Sequence, residues 1–536
     1  MPDAPPPPAP AWDAVIIGGA LSGSATALLL RRRNPKLRIL VLERSFQFKR
    51  RVGESTVEIS AYFLGRVLGL TAHLNEHHLV KQGLRFWFAN DETTRLTDCS
   101  ETGPAYNVRF PGYQVDRAVL DEHLLAQAAA EGVTVRRGWR VRDVALDPAG
   151  PQTLTVENAD GGHETLTTKW VVDASGFAAL LGRREGWITT NTAHPIAAVW
   201  SRWSGVRNWD DPAFAAAHPE WSARTKAVRF TATNHFVGRG WWAWCIPLKG
   251  GDTSIGIVYD QRLTELPAGP HLGDRLKAML DTHPAARELL ADATWHEGDV
   301  TFRRHLAYQA DRVCGPGYAL VGDAAAFMDP FYSPGMDWIA YTTTSAAALI
   351  DSACRGRPPA ERIARQNRAF TESYTRWFRA LYQDKYYYMG DRDLMTLAFR
   401  LDLGTYYLGV VAQPFRHGAR ALEQPPFSIP GGRFAAAVLA TYNRRFAQIA
   451  RDRLRRGSWG RRNRGHYHPF NSYVLGRSLG WRVAWAFAAW GALELREGWR
   501  TWFQAAPAPA AVPPRPSPKT AAPPIRAPQT SARHPG

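Results

Sequence analysis

Cysteine is scarce in this chain: its 536 residues include four, Cys99, Cys245, Cys314 and Cys354. They lie far apart with no C-x-x-C pair, which excludes a disulfide framework and a zinc site, and no metal centre is expected. A reducing, cytoplasmic setting fits this usage. Long apolar runs are also missing. Nothing approaches the roughly 20 residues that a spanning helix needs, and no apolar segment near the start is flanked by a cleavage site. Acidic residues are outnumbered, 48 against 66 Lys and Arg, for a net charge of +18. Such a field favours an anionic partner. The basic residues are spread out apart from the run Arg451 to Arg464, and no nucleic-acid motif accompanies them, so nucleic acid is not the expected partner. The Pro/Ala-rich residues 1–12 and the Pro, Ala, Ser and basic residues of 505–536 lack the apolar content to offset ordering entropy, and both read as disordered tails.

Apolar and aromatic residues are abundant: 45% of the chain is hydrophobic and 21 residues are Trp, enough for a large core and several domains. Asp13-Ala14-Val15-Ile16-Ile17-Gly18 is a short apolar strand, and Ala20 to Arg33 has helical periodicity. The turn between them is Gly18-Gly19-Ala20-Leu21-Ser22-Gly23, a G-x-G-x-x-G with Ala20 at the second glycine. Glycine there lets the backbone approach a pyrophosphate, and Ala adds one methyl group. Leu37 to Leu42 is a second strand, ending at Glu43 beside Arg44, where a carboxylate can accept from a ribose hydroxyl. The series strand, glycine turn, helix, strand and acid points to a dinucleotide site.

The run Gly317-Tyr318-Ala319-Leu320-Val321-Gly322-Asp323-Ala324-Ala325 reads as a buried strand entering a small-residue turn, followed by a helix from Gly335. A carboxylate at such a turn can hold a ribityl hydroxyl while the helix N-terminus faces phosphate or flavin. This stretch resembles the FAD-binding G-D motif of the para-hydroxybenzoate hydroxylase-like flavoproteins. The resemblance implies an α/β FAD-binding fold with Asp323 on the ribityl or pyrophosphate region. It also implies that Gln114-Val115-Asp116-Arg117, before an amphipathic helix over Ala118 to Glu131, supplies Arg117 near the pyrophosphate. The strand Trp170-Val171-Val172-Asp173-Ala174-Ser175-Gly176 would pack beside the nucleotide, although Asp173 alone reads equally as a turn residue.

The expected division is 13–190 for the first part of the FAD domain, 191–300 for an antiparallel substrate-side sheet, 301–354 for the second part of the FAD domain, and 355–504 for a helical C-terminal region. The sheet is expected to include Lys226 to Thr233, Trp241 to Pro247 and Thr253 to Tyr259. Trp481 to Trp499 reads as an amphipathic helix, either packed on the body or lying on a membrane surface.

Gly240-Trp241-Trp242-Ala243-Trp244-Cys245-Ile246-Pro247 places Trp242 and Trp244 two apart on a strand, on one face, where they would form a flat wall continued by Ile246. W-x-W-x-I-P beside an FAD fold resembles the signature of the flavin-dependent halogenases, over roughly residues 13 to 350. In that family these residues lie between flavin and substrate. The resemblance implies that the indoles keep activated oxygen from the organic substrate, so that only hypohalous acid passes. Lys81-Gln82-Gly83-Leu84-Arg85-Phe86 resembles the family's K-x-G-x-x-F setting. Lys81 would then guide hypohalite by a hydrogen bond or as a haloamine, its pKa lowered by burial. Gly53-Glu54-Ser55-Thr56 resembles the G-E-S/T segment along the flavin ring, which puts Glu54 and Ser55 against the cofactor.

Phe327-Met328-Asp329-Pro330-Phe331-Tyr332-Ser333-Pro334-Gly335 fits the family's F-x-x-P-x-x-S-x-G pattern, with Pro330 beside the flavin and halide held at Ser333 and Gly335. Two departures stand out. Pro334 has no N–H to offer the halide. Tyr332 stands where tryptophan halogenases carry a Glu, which favours an electron-rich phenol or pyrrole over free tryptophan. One Gly-rich fingerprint is present and no second one for NADPH, so a separate flavin reductase would supply FADH2. The basic field suits an acyl carrier protein presenting the substrate, and an anionic membrane surface would use the same field. The expected activity is FADH2-dependent halogenation with chloride or bromide in secondary metabolism. The alternatives are a flavin monooxygenase that has lost halide and a flavin reductase resembling geranylgeranyl reductase.

Overall fold

The strand Trp12–Ile17 is almost wholly buried and pairs in parallel on both sides, with Ile39–Glu43 and with His163–Asp173. The computed structural model describes residues 11–503 except 109, 111, 226, 471, 472 and 474; of the tails read at 1–12 and 505–536, residues 1–10 and the whole of the second lie outside the described residues. Ala11 and Trp12 are described, and Trp12 already belongs to the first strand.

Two more strands extend this sheet in parallel, Tyr318–Leu320 beside His163–Asp173 and Thr134–Arg137 beside Ile39–Glu43. Continuous apolar runs such as Ile39–Glu43, buried at every position, are what a parallel sheet covered on both faces requires. The helices Leu21–Arg33 and Gly335–Cys354 pack against each other, and Leu21–Arg33 also packs on Arg117–Ala130. The glycine turn follows directly from this packing. Gly18 sits at φ +98° with its α-carbon facing the Ala174 carbonyl, and a β-carbon on Gly23 would meet the Gly18 carbonyl at 1.8 Å. Ala20 has φ −71°, so this position has no need of glycine for its backbone. The fold is the expected α/β FAD-binding architecture.

The second sheet runs Thr294–Trp295, Ile196–Ser204, Thr253–Asp260, Trp241–Pro247, Thr233–Gly238, Leu84–Phe88, Ser100–Pro104 and Tyr467–Phe470, with Thr301–Arg304 also on Ile196–Ser204. Three expectations change here. The sheet is mixed, because Leu84–Phe88 lies parallel to Thr233–Gly238 and Tyr467–Phe470 parallel to Ser100–Pro104. It draws strands from outside 191–300, since pairing across a sheet is non-local and leaves no mark on adjacent residues. The strand expected over Lys226 to Thr233 begins only at Thr233, and Lys226 lies outside the described residues.

The C-terminal region is helical as read, but broken. Ala360–Trp377 passes into a π-helical turn, Phe378–Tyr382, and the next long helix starts at Arg392. The helix Arg477–Arg496 packs on the body through Leu479, Val483, Ala486 and Leu493, leaving Trp481 and Trp485 outward. Among the described residues no helix is long and apolar enough to cross a membrane, and no cluster suited to a metal ion is present.

Candidate functional site

Two cavities lie side by side where the sheets meet. The larger, about 910 Å³, is lined by Gly18, Ala20, Ser22, Glu43, Arg44, Glu54, Ser55, Arg117, Asp323, Pro330, Ser333 and Gly335 among others. Its volume is at the upper end of the roughly 300–1,000 Å³ typical of ligand and cofactor sites.

Whether this cavity suits FAD is decided by its donors and its close approaches. Arg44, Arg50, Arg51, Arg117, Arg140 and Arg303 all line it and supply positive charge for a pyrophosphate. Arg117 is fixed for that role by the Asp121 carboxylate at 3.2 Å and by the carbonyls of Val52 and Gly53. Glu43 accepts from the Gly19 amide at 2.8 Å, which ties the second strand to the glycine turn. Asp323 is half-buried on the cavity wall, and desolvation pushes its carboxyl up to about 6 against the pull of Arg117 and Arg303. These residues fit FAD. Gly19, Gly23 and Gly322 shape the walls without lining the cavity; the Gly322 amide donates to Thr342 Oγ1. Asp173 also stands behind the wall. Its carboxylate accepts from the amides of Ser175 and Leu181, so it holds the loop whose Ala174 to Ala178 line the cavity.

Trp242, Trp244 and Ile246 share one face of their strand and line the larger cavity. The two rings are tilted by 49° at 5.9 Å, so the wall is angled where a flat one was expected. The tilt follows from their partners: Trp242 Nε1 donates to Tyr386 Oη at 2.9 Å, and Trp244 Nε1 donates to Ser254 Oγ at 3.1 Å. Behind Trp242 stand Phe331, with centroids 5.0 Å apart, then Tyr332 and Phe86 against Phe331. Phe331 and Tyr386 were not found from the sequence, because aromatic residues in a Trp-rich chain carry no distinguishing spacing. Tyr386 in turn donates to Asp329, whose Oδ2 also meets His194 Nε2 at 2.7 Å.

The turn before Gly335–Cys354 lies at the divide. Tyr332 and Ser333 both occupy the left-handed region, at φ 69° and 57°, which is costly for two successive residues with β-carbons. The Ser333 amide is committed to the Pro330 carbonyl at 2.9 Å. Pro334 caps the helix and lines the smaller cavity, whereas Gly335 and Met336 line the larger one. The first-turn amides of a helix have no intrahelical acceptor, so the amides of Gly335 and Met336 are left without a partner inside the helix at the wall of the larger cavity.

The smaller cavity, about 120 Å³, is lined by Lys81, Glu58, Tyr332, Asp337 and aromatic side chains. Lys81 is buried, and its Nζ donates to Ser55 Oγ and to the Thr56 carbonyl, both at 2.8 Å. Burial brings its pKa down to about 8. Ser55 lines the larger cavity, so a hydrogen bond of Lys81 crosses the divide. The outer wall comes from the C-terminal helices through Phe399, Leu403, Tyr406 and Tyr407. Tyr332 donates to Asp402, which also accepts from Lys385 Nζ at 2.6 Å and Tyr442 at 2.6 Å.

The sequence profile of the family described as "Tryptophan halogenase" matches residues 89–393. The chain is 31% identical over 363 residues to "Flavin-dependent halogenase chlA" of Dictyostelium discoideum, covering 61% of this chain and 58% of that protein's own length. It is 26% identical over 390 residues to "Sulochrin halogenase gedL" of Aspergillus terreus, covering 68% of this chain and 67% of the relative. The fold is similar to the crystal structure of halogenase PltM, with TM-score 0.68 and 18% identity over 90% of this chain and 96% of that one. With more than half of its 536 residues matched by the family profile, the chain belongs to the flavin-dependent halogenases grouped in the tryptophan halogenase family.

Proposed function

We propose that this protein is an FADH2-dependent halogenase that uses oxygen and chloride or bromide to halogenate an electron-rich aromatic ring in secondary metabolism. The observation that carries this reading is the position of Lys81, whose ammonium lines the smaller cavity while bonding to Ser55 of the larger. Reduced FAD, when bound, supplies the oxygen activation. The chain's own residues divide the remaining work. The arginines and Asp323 orient the cofactor, and the amides of Gly335 and Met336 offer the halide donors. Trp242, Trp244 and Phe331 keep an organic ring from the larger cavity. Lys81 donates a hydrogen bond to hypohalous acid and aims its halogen at the ring.

Electrons come from a separate flavin reductase, and the net charge of +18 suits an acyl carrier protein as the presenter of substrate. The test is product mass from aromatic substrates given reduced FAD with chloride and then bromide. Wild type yields ring products shifted by each halogen, and Lys81→Ala loses them while still binding and reoxidising FAD. Full halogenation by Lys81→Ala would overturn the assignment.

A second reading, a flavin monooxygenase without halide, is favoured by Pro334, which removes one expected donor. It predicts an oxygenated product formed at the same rate with or without halide.

A further inference from the structure

Tyr332 occupies the place where the family resemblance expects a carboxylate in tryptophan halogenases, and its hydroxyl is spent on Asp402. Asp402 is itself saturated by Lys385 and Tyr442. Two other carboxylates line the smaller cavity beside Lys81: Glu58, which accepts from Tyr407 Oη at 2.6 Å, and Asp337. Asp337 is 1% exposed and stands in the first turn of Gly335–Cys354, two residues beyond Gly335. Its oxygens accept from the Ser60 amide and from Tyr406 Oη, each at 2.9 Å. No cation is hydrogen-bonded to it among the described residues, in contrast to Asp402 with Lys385 and Asp121 with Arg117.

The cavity around them has polar groups at one end, Lys81, Glu58, Asp337 and Tyr406, and apolar walls of Leu84, Phe110, Phe399, Leu403 and Phe470. At about 120 Å³ it is somewhat smaller than an engineered apolar cavity of about 150 Å³ that takes benzene, a size that matches no more than a single ring. A ring that presents an acidic hydroxyl to the polar end satisfies both halves. A phenol does so, with a pKa of about 10, while a pyrrole N–H is far too weakly acidic for a carboxylate to remove.

We propose that Asp337 is the catalytic base of the halogenation and that the substrate is a phenol whose hydroxyl hydrogen-bonds to its carboxylate; this rests on the halogenase reading above. The phenol O–H proton passes to Asp337, and the oxygen electron pair moves into the ring. A ring carbon ortho or para to the oxygen forms the carbon–halogen bond as the halogen–oxygen bond of hypohalous acid breaks. The departing hydroxide takes a proton from Lys81 and leaves as water. The proton on the substituted carbon then returns to Lys81, the ring regains aromaticity, and Asp337 gives its proton back to the phenolate. The sum is phenol plus hypohalous acid to halophenol plus water, with both side chains restored.

Burial raises Asp337 to about 7, which suits a group that takes and returns a proton near neutrality. The titratable groups that face it are Glu58, Lys81, Tyr406 and Tyr382 from other elements and Tyr341 on its own helix. Lys81, at about 8, titrates above it.

The experiment measures kcat/KM for resorcinol and for 1,3-dimethoxybenzene between pH 5.5 and 9, with reductase, FAD and bromide, by product mass. Wild type brominates resorcinol at least 100-fold faster than the ether, on a profile whose acid limb lies near pH 7. Asp337→Asn retains flavin absorbance, loses that limb and falls about 100-fold, and Asp337→Glu recovers much of the rate. Tyr406→Phe removes a hydrogen bond that holds Asp337 down, and it moves the limb to higher pH. Equal rates on both rings, or Asp337→Asn within twofold of wild type on an unchanged profile, would overturn the proposal while leaving a halogenase. A wild type that brominates neither ring overturns the assignment of a phenol to this cavity, and the halogenase reading is then decided by the product masses obtained with chloride and bromide.

Discussion

Lys81 Nζ lies 2.8 Å from Ser55 Oγ, and the two residues line different cavities. The lysine thus makes a polar contact from one cavity to the other beside the packed rings of Trp242, Phe331, Phe86 and Tyr332.

Keeping a cation there costs stability. The folded pKa of Lys81 is about 8, below the ordinary 10.5. Below pH 8 both states are protonated and the folded state carries the burial cost in full. Between about 8 and 10.5 the unfolded chain holds the proton that the folded chain has lost, so stability rises with pH. Lys81→Met is expected to be more stable than wild type at pH 7, by about 1–3 kcal/mol after allowing for the lost hydrogen bonds. Denaturant unfolding at pH 7 and pH 10 checks this, with the gap narrowing at the higher pH. A variant less stable than wild type at pH 7 would show that the hydrogen bonds of Lys81 outweigh its burial.

Pro334 has φ −76°, a value any residue adopts, so Pro334→Ala preserves the turn and adds one amide donor. A hydrogen bond to a charged group is worth about 1.5–3 kcal/mol. If halide sits at this turn, the variant lowers the apparent KM for chloride roughly tenfold or more, read from product yield against chloride concentration. An unchanged chloride KM would place the halide away from residue 334.

Trp242, to which the proposed function gives a barrier role, is held by Tyr386, a residue 144 positions away in sequence. Tyr386→Phe leaves Trp242 Nε1 buried without its acceptor, at a cost of about 1–3 kcal/mol, and lets the ring shift. Oxygenated product should then appear beside the halogenated one, in a ratio that mass spectrometry reads directly. Trp242→Ala enlarges that leak and destabilises by about 3–5 kcal/mol. A product distribution identical to wild type in both variants would remove the barrier role from this face.

What the sequence shows about the site is what local periodicity and motif spacing record. The face shared by Trp242, Trp244 and Ile246 follows from the two-residue repeat of a strand, and the glycine turn is read from residues that are neighbours. Glu58, Asp337, Lys385 and Asp402 are different. Glu58, Asp337 and Asp402 reach the smaller cavity from separate segments, with Lys385 behind Asp402, and a lone carboxylate or lysine on an amphipathic helix looks the same in sequence whether it faces water or a cavity. The mixed pairing of the second sheet was hidden for the same reason, because Tyr467–Phe470 joins Ser100–Pro104 across more than 300 residues. The tilt of the indoles depends on Tyr386 and Ser254, partners that spacing does not indicate.

Lys385 and Asp402 form a buried ion pair behind Tyr332, with side-chain exposures of 0% and 4%. Asp402 is the acceptor for four donors, Lys385, Tyr332, Tyr442 and Asn443, so Asp402→Asn strands a cation with no route to water. Removing one partner of a buried pair costs about 3–5 kcal/mol. Replacing both by apolar residues of similar size, Lys385→Met with Asp402→Leu, should cost less than Asp402→Asn alone, because no charge is left uncompensated. Tyr332 would lose its anchor in either case, and its ring forms one wall of the smaller cavity. The double variant therefore separates two effects in one protein. Its unfolding midpoint recovers relative to Asp402→Asn, while its KM for the aromatic substrate stays raised. Recovery of both would mean that the pair serves stability alone and that Tyr332 is positioned by packing against Phe331 and Phe399.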